Sequence, residues 1–167
     1  MDKCDIIRFF PKLKDDIQFT ISSPEDPNYN CIAWAFHQYN DRWMQPPSGM
    51  YIPALDAVTW WPDGATPSMD ISSLVEAFLC NSFVRCDTWE HENGFVKVAL
   101  YYNPTKHQWT HASRESRTGK YWLSKLAQLS PPKKKSAQYS GLFPRTRFCK
   151  PLIISARPVN PHVFCVL

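Results

Sequence analysis

The sequence predicts an α+β fold, in which a helix beginning at Cys31 packs on an antiparallel sheet of about four or five strands. Three observations carry this expectation. Apolar residues recur at helical spacing after Cys31 and again after Asp70. Residues 95–126 instead alternate in the manner of strands, between clusters of turn formers. Fifteen prolines against five glycines favour fixed corners and extended connections over a helical bundle.

The 167 residues read as one domain: an irregular entry segment over 1–27, a core over 28–126, and a basic loop with a terminal strand over 127–167. The cluster SSPEDPNYN closes the entry. Asn30 is placed to cap the first helix, and Ile32, Phe36, Tyr39 and Trp43 share its apolar face. QPPSG cannot continue that helix. From Trp43 to Pro67 the chain is rich in Pro and Trp and reads as an ordered surface loop. Asp70 caps a second helix with the stripe Ile71, Leu74, Val75, Phe78 and Leu79. GFVKVALYYN is apolar on both faces and reads as a central strand. NPTKHQ turns it into WTHASRES, and RTG turns that into KYWLSKL. PPKKKS reads as a loop and KPLIISARP as a last strand.

Hydrophobic residues at 44% and aromatics at 14% are enough for a folded core. A net charge of +4 permits an acidic partner without demanding one. No apolar run reaches the length of a membrane span. MDKCDIIRFFPKLKDD carries early acids and lacks an uninterrupted apolar stretch, unlike a secretory signal. The expected location is therefore the cytoplasm, or the exterior by a signal-less route. Six cysteines then read as reduced thiols, not a disulfide framework. FCVL is not a prenylation box, because Cys165 is third from the end.

One cysteine stands apart. Cys31 at a helix start lies beside unpaired backbone N–H groups, which favour thiolate and can hold an oxyanion. A nucleophilic thiol needs a general base, and His111 on the WTHASRE strand is the best placed of the five histidines. If SRTG closes the hairpin, Ser124 lies opposite His111 and can orient its ring. Asn30, Trp34, Trp60, Trp61 and Trp109 are the candidate substrate-side residues, with Trp43, Trp60 and Trp61 placed to line a cleft. Each has a plainer alternative: Cys31 as a small buried hydrophobe, Ser124 as a strand hydroxyl, the tryptophans as packing. His107 and His111 are four apart, but turn and strand signals surround them, so neither a metal nor a cofactor is expected. The basic runs at 133–135 and 145–147 admit a nucleic-acid partner as a minor alternative.

YNCIAWA, WWP, GFVKVALY, THASRE and WLSKL resemble a bacterial protein family of unassigned activity. The resemblance runs over about residues 28 to 126. The order of a helix-borne Cys and then a strand-borne His is similar to papain-like thiol enzymes, including NlpC-type cell-wall peptidases. It implies a papain-like fold with Cys31 as nucleophile and His111 as base; the Ser-Lys-Leu element falls on Ser124, Lys125 and Leu126. The expected function is thiol-dependent acyl transfer (peptidase, amidase, deamidase or transglutaminase) on a protein or peptide-like substrate, in the setting of a bacterial effector or toxin or, equally, of a housekeeping cytoplasmic enzyme. Ala127 stands where that family carries Gly, which motivates a second class: a catalytically inactive binding module that uses its tryptophan-rich loop. A basic nucleic-acid binder or nuclease is the third.

Overall fold

The computed structural model describes residues 3–126 apart from 10, 17, 18, 24, 25, 39, 41 and 87, together with strand backbone at 137–140 and 150–156. The chain opens with α1 (Lys3–Phe9), a 3-10 turn (Pro11–Asp15) and β1 (Thr20–Ser23). The helix α2 (Cys31–Ala35) follows, then three short strands, β2 (Arg42–Met44), β3 (Tyr51–Ile52) and β4 (Ala57–Trp60). After α3 (Ile71–Leu79) come β5 (Phe83–Arg85), β6 (Val96–Asn103), β7 (Gln108–Glu115), β8 (Trp122–Leu126), β9 (Ala137–Ser140) and β10 (Lys150–Ala156).

Helices and antiparallel strands combine as an α+β fold. The large sheet runs β1-β9-β8-β7-β6-β10-β5, and every neighbouring pair is antiparallel. The small sheet runs β2-β4-β3, with β2 parallel to β4. As its two apolar faces require, β6 is internal, between β7 and β10. The large sheet has seven strands, more than expected, because the entry segment, the stretch after α3 and the distal region each add one.

Three expectations are corrected. The Cys31 helix stops at Ala35, because His37 takes a left-handed φ of 65° that an α-helix cannot propagate. Trp43, expected on its apolar face, instead lies in β2, and Tyr39 falls outside the described residues. The Pro/Trp segment is not a loop throughout but forms the small sheet, where the Thr59 hydroxyl accepts from Met50 N–H and donates to the Pro47 carbonyl. Asp70 holds the N-cap position of α3, yet its side chain makes no capping bond and accepts from Ser68 Oγ at 2.8 Å. PPKKKS and the two basic runs lie outside the described residues.

The core fills the space between the large sheet and two helices. α2 packs on β7 and β8, and α3 on β5 and β7. Ile32, Trp34, Leu74, Phe78, Val98, Leu100 and Ala112 are all buried there. Phe78 meets Phe36 and Phe83 edge-on at 4.9 Å each, joining both helices to β5. Each fully buried side chain of this size contributes about 1.5–3 kcal/mol. Among the described residues no helix is long and apolar enough to cross a membrane.

Candidate functional site

Asn30 fixes where Cys31 sits. Its Oδ1 accepts from Ala33 N–H at 2.9 Å, capping α2, and its Nδ2 donates to the Met44 carbonyl at 3.2 Å. One buried amide therefore caps the cysteine helix and pins it to β2. That is an anchoring role.

Cys31 is buried against β7. Burial pushes its thiol up from 9.0 to about 11. The N–H groups of Ala112, Ile32 and Cys31 itself and the charge of Lys125 act in the opposite sense, and desolvation outweighs them all. The sequence expectation of a thiol depressed by its helix start is thus reversed. A helix of five residues supplies little dipole, whereas burial acts on the whole sulfur.

His111 follows a shift in β6–β7 register: Tyr101 pairs with His111, but Tyr102 pairs with Trp109. Its Nε2 is hydrogen-bonded to Ser124 Oγ, and its ring lies 5.8 Å from that of Tyr101. Tyr101 Oη in turn meets Ser113 Oγ at 3.1 Å. Desolvation lowers the half-buried imidazole from 6.5 to about 4. The expected direct pairing of His111 with Ser124 is corrected, since Ser113 is the residue opposite Ser124. The contact forms all the same, across a diagonal of the strand pair.

The site comes together in two halves. Ser124 reaches His111, and Cys31 rests on the peptide of Ala112, the next residue along the same strand. Successive strand residues project to opposite faces. Ala112 shares the core cluster of Cys31, while the His111 ring turns toward Ser124 and Tyr101.

The tryptophans take other roles than a surface shelf. Trp34, Trp61 and Trp109 are buried core residues, and Trp60 is half-buried against Phe36 at 5.4 Å. Trp61 stacks on Trp109 at 6.5 Å, and Trp109 Nε1 donates to the Ser68 carbonyl at 3.2 Å. Trp43 Nε1 donates to the Pro27 carbonyl at 2.8 Å. Among the described residues no three His, Cys, Asp or Glu side chains are grouped to hold a metal ion.

Three buried cations escaped the sequence reading: Lys97, which donates to the Thr88 carbonyl at 3.1 Å, Lys125 and Arg114. Lys125 is wholly buried, donating to the Asp26 carbonyl with its ammonium 4.3 Å above the Tyr29 ring. Arg114, also buried, stacks at 4.2 Å on Trp34 and donates to the Trp34 carbonyl at 3.3 Å. It also lies 3.1 Å from His37 Nδ1, and burial followed by that neighbouring charge lowers the His37 imidazole to about 3. The signal was present in the strand period: Lys125 and Arg114 alternate with Ser124, Ser113 and Glu115, so they point to the core-facing side.

The family model described as a domain of unknown function, DUF7689, matches residues 20–143. The chain belongs to the DUF7689 family. That match spans the DUF7689 domain from β1 through β9 and takes in Asn30, Cys31, His111, Ser124 and Lys125. No curated protein and no solved structure matches this DUF7689 chain.

Proposed function

We propose that the chain is a thiol acyl-transfer enzyme of papain-like type, with Cys31 as nucleophile, His111 as base and Ser124 orienting the imidazole. One observation carries the reading: the His111–Ser124 hydrogen bond forms on the strand against which Cys31 packs. With Nε2 engaged by Ser124, Nδ1 is the nitrogen that takes the thiol proton. The sulfur then adds to a substrate carbonyl carbon, giving a tetrahedral oxyanion. Collapse breaks the C–N bond, and the imidazolium returns its proton to the leaving amine. Water, or a second amine, releases the acyl group from the thioester by the same steps in reverse.

In the resting arrangement the thiol near 11 and the imidazole near 4 are both neutral at pH 7. The two shifts share burial as their leading cause. Opening the seam between α2 and β7 to water or substrate therefore moves both back toward 9.0 and 6.5. The substrate class is a protein or peptide-like amide, and the setting proposed is a bacterial effector or toxin. Turnover of a panel of peptide amides and p-nitroanilides by wild type, Cys31→Ala and His111→Ala tests the reaction. Activity lost in both variants supports it. Activity retained in Cys31→Ala eliminates it.

The burial of Cys31 favours a second reading, a non-catalytic module of the same architecture that binds through the half-buried Trp60 and the small sheet. Growth of host cells separates the two. An enzyme loses its effect with Cys31→Ala, whereas a binding module keeps it and loses it with Trp60→Ala.

A further inference from the structure

We infer that residues 88–94 form a latch over the end of the large sheet, held shut by Lys97 and Glu115, and that its release lets those two side chains pair with each other. The β6–β7 register sets Val98 opposite Arg114, and one step further it sets Lys97 opposite Glu115 on a single face. Both side chains are buried. Opposite charges that face each other across a strand pair ordinarily bind each other. Here each turns to the segment 88–94 instead. Lys97 Nζ donates to the Thr88 carbonyl at 3.1 Å and meets the Thr88 hydroxyl at 3.4 Å. Glu115 Oε1 lies 3.3 Å from His91 Nδ1. Among the described residues no ion pair joins Lys97 to Glu115, and Glu115 Oε2 is buried with no hydrogen-bond partner.

His91 has a built seat. The β7–β8 turn brings Gly119 against its ring at a φ of +69°, and a Cβ at Gly119 would collide with that ring. Every residue from 88 to 94 is otherwise exposed, so these polar contacts, and not apolar burial, hold the segment down. Opening therefore uncovers no hydrophobic core. Once Thr88 and His91 leave, the Lys97 ammonium swings to Glu115, and Oε2 gains the partner it lacks in the closed form. The buried charges are served in either arrangement, which makes the element two-state. Release also uncovers the Glu115 end of the β7 face that carries His111 and Ser113, on the side of the strand opposite Ala112 and the Cys31 cluster.

The latch stands or falls independently of any chemistry at Cys31. Initial cleavage of the full chain by a glutamate-specific protease, resolved by mass spectrometry, reads it through Glu90 and Glu92 within the segment. His91→Ala is expected to speed those two cuts about tenfold, the loss of roughly one charge-assisted hydrogen bond, while cuts after Glu76 and Glu115 keep their wild-type rates. Gly119→Ala, which alters no charge, should do the same by unseating the ring, and His91→Gln, which still donates to Oε1, should recover most of the protection. Unchanged cutting after Glu90 and Glu92 in His91→Ala overturns the latch, as does equal acceleration at Glu76 and Glu115. The exchange of partners is read by a double-mutant cycle in urea, in which the coupling between Lys97→Met and Glu115→Gln is larger in His91→Ala than in the parent chain. Equal or smaller coupling overturns it. Should either buried substitution not fold, the Glu115 carboxyl followed by 13C NMR decides: with Lys97 in place of the imidazole it titrates no higher in His91→Ala than in wild type, and a higher midpoint overturns the exchange.

Discussion

The His111 imidazole meets the Ser124 hydroxyl across a diagonal of the β7–β8 pair, because the residue directly opposite Ser124 is Ser113. A residue displaced by two from the direct partner stays on the same face, and a ring as long as imidazole spans the added distance. The diagonal leaves Ser113 to bind Tyr101, so two serines serve two rings without competing. Replacing Ser124 with Ala takes a buried partner from Nε2. Chemical denaturation should show a loss of about 1–2 kcal/mol.

Stability should fall on both sides of neutrality. His111 and His37 have folded values near 4 and 3 against 6.5 unfolded, so the unfolded chain takes up protons first as pH drops. The stability they contribute is complete above about 6.5 and is lost as pH falls through 4 and 3, at about 1.4 kcal/mol per pH unit for each proton. Cys31 has the opposite sign: its raised value gives stability that is full below 9.0 and lost as pH rises through about 11. Urea midpoints across pH 3 to 11 check both limbs, and His111→Gln should flatten part of the acid limb.

Asn30→Ala should cost more than an ordinary helix cap. It removes the Ala33 bond and leaves the Met44 carbonyl without the Asn30 amide inside the protein. We expect about 2–3 kcal/mol in denaturant titration, above the roughly 1 kcal/mol typical of capping alone.

Trp61 and Trp109 stack together but differ in one atom's fate. Among the described residues Trp61 Nε1 is buried with no hydrogen-bond partner, whereas Trp109 Nε1 donates to the Ser68 carbonyl. Trp61→Phe should therefore be close to neutral in thermal unfolding, its lost volume offset by removal of an unsatisfied donor. Trp109→Phe loses both volume and bond and should be clearly destabilised, by about 2 kcal/mol or more.

Strand period carried most of what could be read in the sequence. The run from Val96 to Leu126 alternates, is punctuated by NPTKHQ and RTG, and forms β6, β7 and β8 in that order. The stripe from Ile71 to Leu79 likewise forms α3. The end of α2 was not legible, because Ile32, Phe36 and Trp43 keep helical spacing although the backbone turns left-handed at His37. Arg42–Met44 and Ala57–Trp60 were hidden because strands of three and four residues are too short to show a period. At the site, Cys31, His111 and Ser124 stood out by residue type, but the desolvation that governs Cys31 depends on packing no local pattern encodes. Lys125 was legible only through its parity with Ser124, since a lysine in a strand ordinarily reads as solvent-facing.

The most direct test of a Cys31 nucleophile served by His111 is intact-mass analysis of the chain mixed with p-nitrophenyl acetate at pH 7, with the adduct located by peptide mapping. The account predicts an acetyl group on Cys31 that forms and is then lost in the wild type, with acetylation slowed about a hundredfold or more in His111→Ala. A folded wild-type chain whose Cys31 stays unmodified, or one acetylated no faster than His111→Ala, would contradict it.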